Sequence, residues 1–488
     1  MSASASAAVT VRVMELRNER SGRAGCAPPT LWYKPNMSGQ IGAQETKSQR
    51  LAAILARPVA AADRARAAGA LADWAGCAIA GAASPVGRIL LARGAEGSGP
   101  CRLIGGGRAG PPGAAFAHGG LGNILEMDDV DNRAVLHPGP TVIPAALAAG
   151  QGAAATGQAL LEAIVRGYEA VIRIGRAVGP GHYRFFHNTA TCGPFGAAAA
   201  VASVLGLDPS ATASALGLAG TTAGGLWRTR HEPQSLAKQI HAARAARDGL
   251  ESADLAQRGV HGPLAILEGE QGFFQALCPD ATPDAVDADI DAPWAIHAVS
   301  FKFWPACRHV HAAIDAAQAL RAEIGPDLAR ARAFVVETYP AAVTFCDKPH
   351  PGTSLEAKFS FQHAVAVMAR RGALGLDDFE PAAIADPATA EVRARVSVMA
   401  SPDYGARYPL AYGSGVCATL ADGRIVRRDV ACASGDPGTF SGDLRLQAKL
   451  AMLMQAAGRT SRDGALILQA ARALDGAADL RAFSEAVG

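Results

Sequence analysis

The sequence is short of the features that announce the commoner protein classes. Its nine cysteines (Cys26, Cys77, Cys101, Cys192, Cys278, Cys307, Cys346, Cys417 and Cys432) are scattered, odd in number and never spaced as CxxC. That spacing excludes a disulfide framework and a structural zinc knot, and it points to a reducing, cytoplasmic setting with most thiols serving as small core residues. No run of about 18 apolar residues is free of a charge or a helix-breaking cluster, so no transmembrane helix is expected. Net charge is only +2, and no basic face with interleaved aromatics occurs. Nucleic acid and membrane are therefore not expected partners. A GxSxG elbow is missing, which removes the main signal of a serine hydrolase.

Two short patterns invite a cofactor or metal and fail on context. Gly105-x-Gly107-x-x-Gly110 matches the dinucleotide fingerprint, yet the strand before it is only Cys101–Ile104. Pro111-Pro112 should also stop a helix from starting where a pyrophosphate would sit, so the segment reads as a loop. His309-x-His311 reads as a helix start with one histidine buried and one exposed, because residues two apart on a helix point to different sides. Neither a cofactor nor a metal is expected.

From Thr46 onward the periodicity is mostly helical. Thr46 is a cap. Helices are predicted over Ala61–Ala80, Gln158–Val178, Ala190–Leu205 and Lys238–Gln257, and Asp208-Pro209 opens another. Near Pro293 the pattern changes. Ala333–Thr338, Glu391–Met399 and Val416–Val430 alternate as strands do, the last with Asp422-Gly423 as a two-residue hairpin turn, and His309–Ala322 and Phe361–Arg371 read as helical pieces beside them. Helices return at Leu444–Ala457 and Arg462–Ala473. The fold class is mainly α with an α+β insert. Residues 1–45 are expected to be a disordered or over-long extension with Met37 as an alternative start, 46–295 a helical domain, 296–434 an α+β domain, and 435–488 the closing helices of the helical domain.

Chemistry concentrates in four segments. In LEMDDVDNRAVLHPGP, four carboxylates (Glu126, Asp128, Asp129 and Asp131) crowd into six residues before the rigid His137-Pro138 turn. Crowded carboxylates shift one another's pKa and suit acid–base work. In HYRFFHNTATCG, His187 stands just before a helix N-terminus. A third segment, from Trp227 through Lys238 and His241 to Arg247, carries many cations and reads equally well as an exposed helix face. In the fourth, SFKFWPACRH, Lys302 stands among aromatics, where it needs an anionic partner or a depressed pKa.

The stretches NILEMDDVDNRAVLHPGPTVIPAALA, FHNTATCGPFGAAAAVASVLGLD, LAKQIHAARAARDGLESADLAQRGVHGPLAILEGEQGFF, FKFWPACRHVHAAIDAA and CDKPHPGTSLEAKFSFQHAVA resemble, in order, the MmgE/PrpD family. The resemblance spans about Ser48 to Asp475. It implies a large helical domain with a smaller α+β lid, a homodimer, and an active site between the two parts. The family includes 2-methylcitrate dehydratase, cis-aconitate decarboxylase and iminodisuccinate epimerase. On this resemblance His137 and His187 are the acid–base pair, Lys238 and Lys302 anchor substrate carboxylates, and Asp128 orients a histidine. Glu126, Asp129, Cys307, Phe345 and Lys348 would shape substrate binding. Three departures stand out: Val130 replaces a frequent threonine, Cys307 a histidine of the decarboxylases, and Phe345 their tyrosine. A phenyl ring donates no proton. The expectation is a cofactor-independent lyase, dehydratase-like, on a small di- or tricarboxylate. Epimerisation is the alternative, decarboxylation ranks lower, and a non-catalytic organic-acid binder or a dinucleotide-dependent oxidoreductase are the readings from other classes.

Overall fold

A computed structural model describes residues 45–232, 234–439 and 442–488. The expectation for the extension before Glu45 lies outside the described residues. Glu45–Gly488 forms one compact unit.

Ten helices build its first part: α1 (Lys47–Leu55), α2 (Ala61–Ala82), α3 (Pro85–Gly94), α4 (Pro111–Asn123), α5 (Gly139–Gly152), α6 (Gly157–Ala177), α7 (Gly179–Phe185), α8 (Asn188–Val204), α9 (Pro209–Gly220) and α10 (Ala237–Gln257). Their starts follow capping chemistry. Thr46 caps α1 in a reciprocal box with Gln49, and Asp208 accepts from Ala211 N ahead of Pro209. Small residues let the central helices nearly touch. A Cβ added at Gly167 of α6 would lie 2.8 Å from the carbonyl oxygen of Gly196 on α8, and one at Gly196 would lie 2.9 Å from that of Gly167. Any side chain at this crossing would push the two helices apart.

Pro111-Pro112 does not stop a helix, contrary to the sequence expectation. α4 begins at Pro111, because the first helical turn needs no proline N–H and the ring already holds a helical φ. What precedes it is a minimal hairpin, β1 (Cys101–Arg102) and β2 (Arg108–Ala109), joined through Gly105, Gly106 and Gly107, all at positive φ.

The α+β part is built on a four-stranded sheet of order β4-β3-β5-β6, comprising β3 (Ala333–Thr338), β4 (Val396–Ala400), β5 (Ser414–Thr419) and β6 (Ile425–Val430). β3 pairs parallel with β4 and antiparallel with β5, Phe334 standing opposite Val396 and Ala418. Phe334, Val336, Val416 and Ala418 form its buried face, covered by Ile314 and Leu320 of helix His311–Ile324 and by Val365 and Met368 of helix Phe361–Arg371. Two strand expectations shift. Glu391–Arg393 finishes a helix, so β4 starts only at Val396. The hairpin loop has three residues, with Gly423 N donating to Leu420 O and Leu420 N to Arg424 O. Gly423 takes φ +92° to close it.

After the sheet, helices Asp443–Ala456 and Ser461–Ala473 return to the first part. Leu446, Leu450, Leu453, Ile467 and Leu468 share one apolar core with Leu71 and Trp74 of α2. Three polar contacts tie the α+β part to the loop between α4 and α5 or to its own flanks: Tyr412 OH donates to Asn132 O at 2.8 Å, Lys358 Nζ to Leu125 O at 3.0 Å, and Arg308 pairs with Asp436 at 2.5 Å. Among the described residues no single helix is long and apolar enough to cross a membrane.

Candidate active site

A cavity of about 430 Å³ opens between the helical and α+β parts. Its floor is the α4–α5 loop. All four carboxylates of that loop are buried rather than solvated, and each has its own partners. Asp131 binds Arg176 at 2.6 Å and accepts from Ala134 N at 2.7 Å. Asp129 accepts from Tyr168 OH at 2.6 Å and from Gly139 N at 2.9 Å. Asp128 faces Asn123 Nδ2 at 2.7 Å and His137 Nδ1 at 3.0 Å. Glu126 pairs with Lys238 and lies 3.7 Å from Lys302 Nζ.

The loop is held under tension and clamped from three sides. Glu126 (φ +58°) and Val135 (φ +51°) adopt left-handed backbone, which costs about 1–3 kcal/mol at each residue. Three lysines from distant segments bind consecutive carbonyls: Lys358 that of Leu125 at 3.0 Å, Lys302 that of Glu126 at 3.1 Å, and Lys449 that of Met127 at 2.6 Å. Val130 and Ser300 add an antiparallel bridge. The strain at Glu126 turns its carboxylate toward Lys238 and Lys302.

These partners set the charge of the site. Burial pushes the Glu126 carboxyl up, but the two ammonium groups outweigh it and hold it below the ordinary range. Lys238 stays above its ordinary value, because Glu126 and Asp128 overcome the cost of burial. Burial likewise opposes ionisation of Asp128, and His137 more than reverses that. Asp129 is different: burial lifts it to about 7. Burial keeps His137 below its ordinary value, with Asp128 pulling the other way, and depresses His187 further.

His137 Nδ1 faces two acceptors, the Asp129 carbonyl at 2.8 Å and Asp128 Oδ2 at 3.0 Å, so this nitrogen carries the hydrogen. Nε2 of a neutral ring is then left bare, as a general base requires. His187 caps α8 with its backbone (Ala190 N to His187 O, 2.8 Å) and stacks on Trp227 with ring centres 4.4 Å apart. The opposite wall is aromatic. Phe345 stacks on Tyr183 at 5.8 Å, and the Arg230 guanidinium lies 4.7 Å from its ring centre.

Two family models match this chain, the MmgE/PrpD N-terminal domain over residues 51–285 and the MmgE/PrpD C-terminal domain over residues 304–474. The chain belongs to the MmgE/PrpD family. It is similar to a cis-aconitate decarboxylase-like protein of Aspergillus oryzae, 27% identical over 72% of this chain and 77% of that protein. It is also similar to the cis-aconitate decarboxylase of Aspergillus terreus (28% identical over 56% of this chain and 60% of that protein) and to the human one (27% over 64% and 66%).

Of the residues the sequence singled out, this MmgE/PrpD chain lines the cavity with Glu126, His137, His187, Lys238, Lys302, Cys307, Phe345 and Lys348. Asp128 stands behind His137. Asp129, expected to contact substrate, does not line the cavity: neighbours in an extended loop point to opposite sides, and its carboxylate is spent on Tyr168 and Gly139. His309 and His311 are both buried, not one in and one out, because a 3-10 turn (Arg308–Val310) precedes the helix and the α+β part covers both sides. His309 binds Tyr339 OH at 2.5 Å and lines the cavity, while His311 turns to the Ala306 carbonyl at 3.1 Å. The cation-rich third segment divides: Lys238 is buried on α10, whereas Arg244 is exposed.

Sequence reasoning assigned no role in the site to Lys358, His241, Tyr183, Trp227 or Tyr412. Lys358 carried the same signal as Lys302, a lone lysine among apolar neighbours, and burial lowers it to about 8.

Proposed function

We propose that this chain is a lyase that removes a proton from a carbon beside a carboxylate of a small di- or tricarboxylate and eliminates water. The family match and the relatives support the coarser part of this reading, a lyase-type enzyme of organic acids. The observation that carries the rest is the bare Nε2 of His137, backed by Asp128, opening into a cavity that also holds two lysines.

In this reading His137 Nε2 takes the carbon-bound proton, a contribution of roughly 10²–10⁴-fold. Charge then builds on the adjoining carboxylate as an enediolate. Lys238 and Lys302 face it with more positive charge than Glu126 alone balances, and a well-placed contact of this kind is worth about 3 kcal/mol. His187 protonates the departing hydroxyl. The side chains supply every group the reaction needs, so we propose that it proceeds without a cofactor, in a homodimer.

A second reading, decarboxylation, is favoured by the relatives, which are cis-aconitate decarboxylases. In it the same lysines hold the carboxylates that stay, and a histidine protonates the carbanion left by carbon dioxide. Cys307 and Phe345 support elimination over this alternative, since neither matches the histidine and tyrosine that the resemblance assigns to decarboxylases. Incubation with citrate-, methylcitrate-, aconitate- and iminodisuccinate-type acids in deuterium oxide, followed by proton NMR, separates the readings. Elimination gives an alkene that keeps every carbon of the hydroxy acid, or exchange at the acidic carbon, without gas release, whereas decarboxylation gives a product one carbon shorter and carbon dioxide, measured in a parallel gas assay. A protein that neither exchanges nor converts any of these acids is not such a lyase.

A further inference from the structure

His187 poses a chemical problem. A neutral imidazole that gives up its only N–H becomes an imidazolate, an anion far too basic to form at neutral pH. For His187 to act as an acid while neutral, its second nitrogen must gain a proton as the first one loses its own.

The neighbour that can supply it is His241, on α10 one turn beyond Lys238. His241 Nδ1 lies 3.3 Å from His187 Nδ1, the ring centres 5.5 Å apart with a tilt of 42°. Two like nitrogens at this distance are attractive only when one carries hydrogen and the other accepts. The surroundings hold the rings in this relation. Trp227 stacks on His187, and His187 N donates to the carbonyl of Gly225 at 3.0 Å. Burial keeps both imidazoles neutral, His241 falling to about 4 with Arg244 and Lys238 adding to the effect. The environments of the two rings differ in the way a relay needs. His187 is buried and lines the cavity, whereas His241 does not line it and is partly exposed.

We propose that His241 is the proton port of His187, a positioning residue that joins the cavity to solvent through the Nδ1–Nδ1 contact. The inference rests on the reading of His187 as the proton donor. During elimination the Nε2–H bond of His187 breaks and its proton goes to the departing oxygen. At the same time the Nδ1–H bond of His241 breaks and its proton passes to Nδ1 of His187, while Nε2 of His241 takes one from water. Both rings stay neutral and exchange tautomers. Afterwards the proton that His137 took from carbon returns through the cavity to Nε2 of His187. The relay then runs backward and releases one proton at His241. No net proton is consumed in a turnover.

The test uses the full-length protein and two variants. With histidine ¹⁵N labelling, the unliganded protein should show the Nδ1–H tautomer on His241 and Nε2–H on His187, and the reverse assignment would overturn the relay. Nε2–H on both would overturn the shared proton, whatever the substrate. With an acid that the unaltered protein converts, His241→Asn and His241→Ala should each lower kcat by about tenfold or more with KM little changed. Imidazole should restore part of the loss in His241→Ala. 1-Methylimidazole should not, since one of its nitrogens is blocked. A His241→Asn variant with unchanged kcat overturns the relay and leaves the lyase reading intact. If the unaltered protein converts and exchanges none of the acids, the lyase reading falls and the relay with it.

Discussion

Asp128 Oδ2 sits 3.0 Å from His137 Nδ1, and with the Asp129 carbonyl at 2.8 Å it decides which nitrogen of His137 meets the cavity. Asn123 holds the carboxylate from behind at 2.7 Å. Asp128→Asn removes the charge that stabilises the protonated ring while keeping the shape. We expect kcat to fall roughly 10- to 100-fold with little change in KM, and His137→Ala to fall by about 10²–10⁴. Steady-state kinetics on the substrate found by the NMR screen checks both, and an unaltered kcat in Asp128→Asn refutes the dyad.

Glu126 keeps Lys238 and Lys302 together before substrate arrives. Glu126→Gln leaves two buried ammonium groups with one counter-charge fewer, a loss expected to cost about 3–5 kcal/mol. A citrate-type acid should then restore more thermal stability to the variant than it adds to the unaltered protein, because the ligand's carboxylates take the place of the missing one. Equal shifts in a thermal melt would show that these lysines do not bind the acid.

Asp129 makes stability depend on pH. Its pKa rises from an ordinary carboxylate value to about 7 on folding, so the folded chain binds the proton more tightly than the unfolded one. Its stabilising contribution is complete below the unfolded pKa, near 4, and disappears as pH climbs through about 7. Asp129→Asn cannot titrate, and its amide can still serve Gly139 and Tyr168. The stability of the unaltered protein relative to this variant should therefore be greater at pH 5 than at pH 7.5. Urea unfolding at the two pH values measures it, and a difference of the opposite sign would contradict the assignment.

Asp73 of α2 and Lys449 of helix Asp443–Ala456 form a fully buried pair at 2.6 Å, and Lys449 also holds the Met127 carbonyl. Lys449→Met strands a carboxylate in the core and should cost about 3–5 kcal/mol. Adding Asp73→Asn should recover most of that loss. If the double variant is no more stable than the single one in urea, the cost lies in the Met127 contact instead.

The resemblance gives decarboxylases a histidine and a tyrosine where this chain has Cys307 and Phe345. Restoring proton-donating groups with Cys307→His and Phe345→Tyr should raise carbon dioxide release from cis-aconitate by about tenfold or more, the worth of a single good hydrogen bond. Release no faster than from the unaltered protein would place specificity elsewhere in the cavity.

Where a local rule acts alone, the sequence could be read almost to the residue. Ala333–Thr338 alternates along one half-buried strand, and Phe361–Arg371 is amphipathic between Ser360 and Gly372, and both elements occur with those bounds. Where two rules compete, the reading slipped. Glu391–Met399 alternates, yet Asp386-Pro387 caps a helix that runs on to Arg393. Lys358 and His241 received no role because nothing near them in sequence names their partners, Leu125 at 233 residues' distance and His187 at 54.

The sequence by itself determined the mainly helical class, the place where strands begin, the family, and the four short segments in which ionisable residues gather. These follow from periodicity, capping and composition, which act over a few residues. Only the tertiary structure decided that Asp128 turns to His137 while Asp129 turns to Tyr168, that three lysines clamp consecutive carbonyls, and that His187 meets His241. Such choices depend on which distant group reaches a buried charge first. In a core that excludes water an ionised group must find its partner there or lose its charge, and local sequence carries no record of the partner.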